Sequence, residues 1–248
     1  MTSLERCMAV LDGRMPDTLP VVPQSFMFAV ETAGYKIGEV NRNGRKMAEA
    51  HIVSQEKYGY DGCVIDFDDA TIAEAVGAKV IFRDDEPAIV DEQQPVLKDL
   101  RDVYDMPIPD PMSSGRLSVW LEATERLVEA IGDHVFVMGR ADQGPFSIAC
   151  LLRGTTQFMM DLLTEDPKLI ADVLDYCRRI SAVFAKAQKD AGAHATSIGD
   201  AFAGPNLISP DMYRQFAFEP ERKLVAGAGV DGLRAWLVLR LRRDRYRA

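Results

Sequence analysis

The chain has little of what would tie it to a metal, a membrane or nucleic acid. Its 248 residues include three histidines and four cysteines. Cys7, Cys63, Cys150 and Cys177 are scattered without CxxC spacing, which suits a reducing compartment better than a disulfide framework. No apolar stretch approaches the roughly 18 to 20 residues of a membrane-spanning helix. The opening MTSLERCMAVLDGR carries Glu5 and Arg6 and lacks the long apolar run of a signal peptide. Positive charge is outweighed, 29 Lys and Arg against 38 Asp and Glu, and the net charge of −9 repels phosphate backbones and anionic lipid. These absences argue against nucleic acid and membrane partners and leave a small molecule as the expected partner, in the cytoplasm.

What is present is apolar content of 47%, enough for one large α/β domain. Short apolar runs alternate with helical patterns, as in a parallel sheet wrapped by helices. Strands are expected at 19–24, 62–67, 78–82, 134–140 and 194–200. Helices are expected at 45–58 and from 118 onward, where Val119, Ala123, Leu127 and Ala130 share a face. Two more helices should flank a break at Asp166-Pro167, and another should start on Ser209, Pro210 and Asp211. The acidic, proline-punctuated stretch 84–115 reads as a loop insertion. About four β/α units emerge, without an internal repeat.

Several acids stand where apolar runs end. Asp66, Asp68 and Asp69 follow Cys63–Ile65, and Asp200 closes the run 194–199. In a β/α barrel every parallel strand ends at one rim, and that rim carries the chemistry. The competing reading is that these aspartates cap turns and helix starts.

Four stretches, in order, resemble the uroporphyrinogen decarboxylase superfamily, which includes the corrinoid-dependent methyltransferases. They are ERCMAVLDGRMPDTLPVVP, YDGCVIDFDDATIAEAVGAKV, QGPFSIACLLRG and SIGDAFAGPNLISPDMYRQFAFEPERKL. The resemblance implies a (β/α)8 TIM-barrel fold over residues 1–225, left incomplete because its last strands are missing. It places Asp68 on the catalytic aspartate that projects into the decarboxylase cleft and binds pyrrole N–H groups. Asp66, Cys150 and Asp200 become the associated substrate-binding candidates, Cys150 or Leu151 standing nearest a cleft tyrosine of the decarboxylases. Strand alternation turns Asp66 and Asp68 toward the mouth, leaves Cys63 and Ile65 in the core, and turns Asp69 away as a helix cap. Asp68→Asn should then leave thermal stability nearly unchanged.

The sequence departs from the decarboxylase pattern in having no arginine between Pro16 and Asn41 to neutralise an acidic porphyrinogen. The methyltransferase branch tolerates this, and it implies a corrinoid such as methylcobalamin as substrate or on a partner protein. That branch also implies zinc held by a late His-x-Cys pair, and no His or Cys follows Val225, so no zinc site is expected. Residues 226–248 read as a non-family, Arg-rich tail. From 231 onward it carries six Arg against two Asp, reading either as a frame-shifted end or as a cationic amphipathic helix with Leu233, Trp236, Leu237 and Leu241 on its apolar face. Three readings therefore stand: a methyltransferase-branch enzyme or its remnant, a uroporphyrinogen decarboxylase of porphyrin biosynthesis, and a non-catalytic truncated fragment or binding protein.

Overall fold

The computed structural model describes residues 1–65, 68–230 and 234–238. Helix α1 (Ser3–Leu11) starts on a capping box, in which Thr2 accepts from the Glu5 N–H while Glu5 accepts from the Thr2 N–H. Residues 19–24 run extended but form no strand. Pro20 and Pro23 lack the N–H groups a ladder needs, and Val21 is tied instead to Asp61. Helices α2 (Phe26–Thr32), α3 (Ile37–Val40) and α4 (Gly44–Tyr58) follow, then β1 (Gly62–Val64) and α5 (Thr71–Ala75).

The expected loop insertion is partly ordered. Strand β2 (Val80–Ile81) pairs antiparallel with β3 (Ile89–Val90), and a 3-10 turn follows at Leu100–Tyr104. Helix α6 (Leu117–Ile131) buries Trp120, Ala123, Leu127 and Ile131, while Ala130 is exposed. The apolar stripe is thus rotated from the expected one toward the bulkier side chains. Strand β4 (Phe136–Gln143) leads through Gly144 into α7 (Pro145–Arg153), α8 (Thr155–Thr164) and α9 (Pro167–Asp190). Asp166 caps α9 by accepting from the Lys168 N–H at 2.8 Å, with Pro167 in the first turn. After β5 (Ala195–Gly199) and a 3-10 turn at Ala201–Ala203, Ser209 caps α10 (Pro210–Met212). A π turn at Tyr213–Ala217 leads to α11 (Phe218–Val230), then β6 (Arg234–Val238). Those last residues form a strand rather than the amphipathic helix; Leu233 and Leu241 lie outside the described residues.

The main sheet has the order β1-β4-β5-β6, with every pair parallel. Side-chain alternation divides its two faces. Val64, Phe136, Met138 and Ala195 form an inner cluster with Cys7 of α1. Cys63, Ile65, Val135 and Val137 face outward into the large core built by the helices. Cys63 and Ile65 are therefore core residues, and the chain folds as a partial (β/α)8 barrel. Among the described residues, no helix is long and apolar enough to cross a membrane.

Candidate functional site

The C-terminal ends of β1, β4 and β5 open into a cavity of about 580 Å³. This lies within the roughly 300–1,000 Å³ typical of small-molecule sites. Phe26 and Met27 of α2 form one wall, Ile89 and Val90 of β3 another, and Leu151 and Phe202 close the apolar part. The stretch expected to be an insertion therefore builds part of the site. The polar lining comes from Asp68, Asp69, Glu92, Arg140, Gln143 and Gln24.

Backbone geometry explains how Arg140 and Gln143 reach the same cavity. Alternation continues the inner face from Phe136 and Met138 to Arg140, and a regular strand would turn Gln143 to the other side. The β4–β5 register shifts between Arg140 and Gln143, which pair with Ser197 and Gly199. An extra residue in this bulge restores the inward direction. Asp142 lies within it in the left-handed region at φ 53°. Its carboxyl accepts from the Ile72 N–H at 2.8 Å, holding the start of α5, and burial pushes it up to about 8, with the Asp69 charge adding to the rise. Gly199 leaves room for the guanidinium, since a Cβ there would meet Arg140 Nη2 at 2.8 Å. Sequence reading missed Arg140 and Gln143 because a bulge leaves no mark in an apolar alternation.

The aspartates separate sharply. Asp68 lines the cavity, but its carboxylate accepts from Arg116 Nη1 at 2.6 Å and Nη2 at 3.1 Å. It also accepts from the Ala70 N–H and the Thr71 hydroxyl, and its side chain is 0% exposed. Arg116 in turn donates to Glu74 and to the Asn41 carbonyl. The structure reverses the expectation that Asp68→Asn leaves stability unchanged, because it would weaken a buried ion pair. Asp69, expected to turn away as a cap, is the acid that opens into the cavity, with 61% of its side chain exposed. Strand β1 ends at Val64, so the alternation that predicted the opposite arrangement does not extend to these residues. Gln143 Nε2 and Arg140 Nη2, the latter at 3.4 Å, both donate to Asp69 Oδ1. Enclosure in the rim pushes the Asp69 pKa above the usual carboxylate range; Arg140 pulls it down and Asp68 adds to the rise. Asp66 lies outside the described residues.

The remaining candidates sit away from open space. Cys150 is fully buried in the core, and burial raises its thiol well above the ordinary value; its neighbour Leu151 lines the cavity instead. Asp200 is fully buried and caps α7 from outside the helix. It accepts from the Phe146 N–H at 3.2 Å, the Ser147 N–H at 2.7 Å and the Ser147 hydroxyl. Gly144 permits this approach, because a Cβ there would stand 2.6 Å from Asp200 Cγ. Burial raises Asp200 to about 6 against the lowering pull of Ser147. Glu221, bonded by the Tyr213 hydroxyl at 2.6 Å, is raised to about 8 by burial and by the Asp200 charge.

The zinc implied by the methyltransferase resemblance finds no matching donor set among the described residues. Among the described residues, no group of three or more His, Cys, Asp or Glu is arranged to hold a metal ion. All four thiols are buried, and burial pushes Cys63 up to about 12. His51, also buried, is lowered to about 4.

The sequence profile described as Uroporphyrinogen decarboxylase (URO-D) matches residues 2–232. The chain belongs to the uroporphyrinogen decarboxylase family. It is 26% identical to the methylcobamide:CoM methyltransferase MtbA of Methanosarcina mazei over 90% of this chain and 66% of that protein. It is also 26% identical to a uroporphyrinogen decarboxylase of Gluconobacter oxydans, over 68% of this chain and 47% of that one. A solved methyltransferase from Methanosarcina mazei superposes with a TM-score of 0.85 at 25% identity, covering 96% of this chain and 70% of that structure. The chain thus spans just under two thirds of the methyltransferase and about half of the decarboxylase. The family match extends seven residues past Val225, and β6 continues the parallel sheet beyond it.

Proposed function

We propose that this family member transfers a methyl group between a corrinoid, presented by a partner protein, and a small acceptor held in the Asp69 cavity. The observation that carries the reading is the cavity's charge. Asp68, Asp69 and Glu92 line it against one guanidinium, Arg140, which already donates to Asp69. Asp68 is enclosed and paired with Arg116, so a polyacidic porphyrinogen would meet the Asp69 and Glu92 carboxylates and one arginine, a costly match for a ligand whose own carboxylates need cationic partners. The greater share of this chain aligned with the methyltransferase than with the decarboxylase supports the same branch.

The corrinoid supplies the methyl group as an electrophile; the chain's residues receive and orient the acceptor. Phe26, Met27 and Leu151 line the wall that would meet its apolar part. An acceptor that attacks through an X–H group must release its proton, and Asp69 is the exposed carboxylate placed to take it. Its raised pKa makes it a better base than an ordinary aspartate. No step is assigned to zinc. The test is an anaerobic assay of the full chain with methylcobalamin and a panel of small thiol and amine acceptors, beside a parallel assay with uroporphyrinogen III. Demethylation of the corrinoid, with no coproporphyrinogen formed, is the expected pair of results; coproporphyrinogen formation without methyl transfer would return the decarboxylase reading.

A further inference from the structure

The same cavity offers a ligand more acceptors than donors. Gln143 is 1% exposed, and its Nε2 end is fixed by the Asp69 carboxylate, because only the amide NH2 can donate to that oxygen. The other end, Oε1, is buried without a hydrogen-bond partner. A buried amide oxygen left in that state costs free energy, and Gln143 belongs to the cavity lining. Asp69 differs in being open: Arg140 and Gln143 both donate to Oδ1, and 61% of its side chain is exposed to accept a ligand donor.

The surrounding charge has the same sense. The Asp68 charge is matched by Arg116 through two bonds, so it adds little net field. Of the remaining charged lining among the described residues, two carboxylates, Asp69 and Glu92, accompany one guanidinium, Arg140, so that lining is negative by one charge. One wall beyond these groups is apolar, formed by Met27, Ile89 and Val90. A ligand that satisfies all of this has one positive charge, at least two N–H donors and a short hydrocarbon body.

We infer that the acceptor side of this cavity binds a small organic ammonium ion, its N–H groups directed to Asp69 Oδ2 and Gln143 Oε1 and its alkyl body against the β3 and α2 wall. The inference rests on the reading of this cavity as the acceptor site. It adds a substrate class to that reading: primary or secondary amines rather than carboxylic acids.

Isothermal titration calorimetry of the full chain at pH 7, without any corrinoid, tests it with three isosteric probes: n-propylammonium, 1-propanol and propionate. Propylammonium should bind saturably, one per chain, and more tightly than either other probe by roughly tenfold or more, the scale of a charge-assisted hydrogen bond. Asp69→Asn, at an exposed side chain, should remove that advantage, and Gln143→Leu should reduce it; a melting curve of each variant verifies folding, and Asp69→Asn decides if Gln143→Leu does not fold. Propionate binding as tightly as propylammonium, no propylammonium binding, or an advantage that survives Asp69→Asn would each overturn the inference. Methyl transfer from methylcobalamin to a non-amine acceptor, with no amine binding, would sink this inference alone. Amine binding without any methyl transfer would sink only the functional reading.

Discussion

Asp200 and Asp69 both stand where a parallel strand runs out, and the structure uses them in opposite ways. Asp200 has no exposed surface and takes three hydrogen bonds from the first turn of α7. Asp69 keeps 61% of its side chain open, and both of its bonds fall on one oxygen. Asp68 belongs with Asp200, since Arg116 and the start of α5 fill its coordination. An acid at the rim of a barrel is therefore not a site residue by position alone. What separates a structural from a functional carboxylate is whether the protein already supplies its donors.

The largest effect that separates the two classes is expected at the Asp68–Arg116 pair. Arg116→Met should cost about 3–5 kcal/mol by leaving Asp68 buried, and Glu74 half-buried, without their cation. Urea unfolding measures this, and adding Asp68→Asn should recover part of the loss. A cost under about 1 kcal/mol would mean that the pair behaves like a surface salt bridge.

Asp200→Ala comes next, at roughly 1–3 kcal/mol, because it strands buried donors at the N-terminus of α7. Its neighbour provides the pH dependence. Glu221 has an ordinary value of 4.5 and is raised to about 8 in the folded chain, so the native state holds a proton that the unfolded state releases. Its contribution to stability is complete below 4.5, falls as pH rises, and is lost above about 8. Thermal melts from pH 5 to 8.5 should show this decline in the wild type and a flatter profile in Glu221→Gln, whose amide imitates the protonated acid. A parallel decline in both proteins would assign the slope to other groups. The smallest stability effect belongs to Asp69→Asn, within about 0.5 kcal/mol, as for exposed positions outside a filled network.

The division between these acids was only partly legible in the sequence. The helices at 45–58 and after Asp166-Pro167 announce themselves through periodicity and caps, and the strands around 136 and 195 through unbroken apolar runs. Cys63 and Ile65 follow strand alternation into the core. The alternation fails for Asp68 and Asp69 because the strand has ended before them. It fails again at Gln143 because the bulge around Asp142 adds a residue to the count. Arg116 lies 48 residues from its partner Asp68, after a stretch that reads as loop, and nothing local marks that pairing. The family resemblance located the rim, while the assignment of donors around each carboxylate required three dimensions.

Whether the Asp69 cavity holds a methyl acceptor is decided by a paired assay of the wild type and Asp69→Asn. Each full chain is given methylcobalamin and an acceptor under anaerobic conditions, and the corrinoid spectrum is followed beside a melting curve of the same preparation. The wild type should turn over, and Asp69→Asn should be slower by about 10²–10⁴-fold, the range for loss of a general base, with the melting midpoint unchanged. Equal rates in the two proteins, or conversion of uroporphyrinogen III in place of methyl transfer, would contradict it.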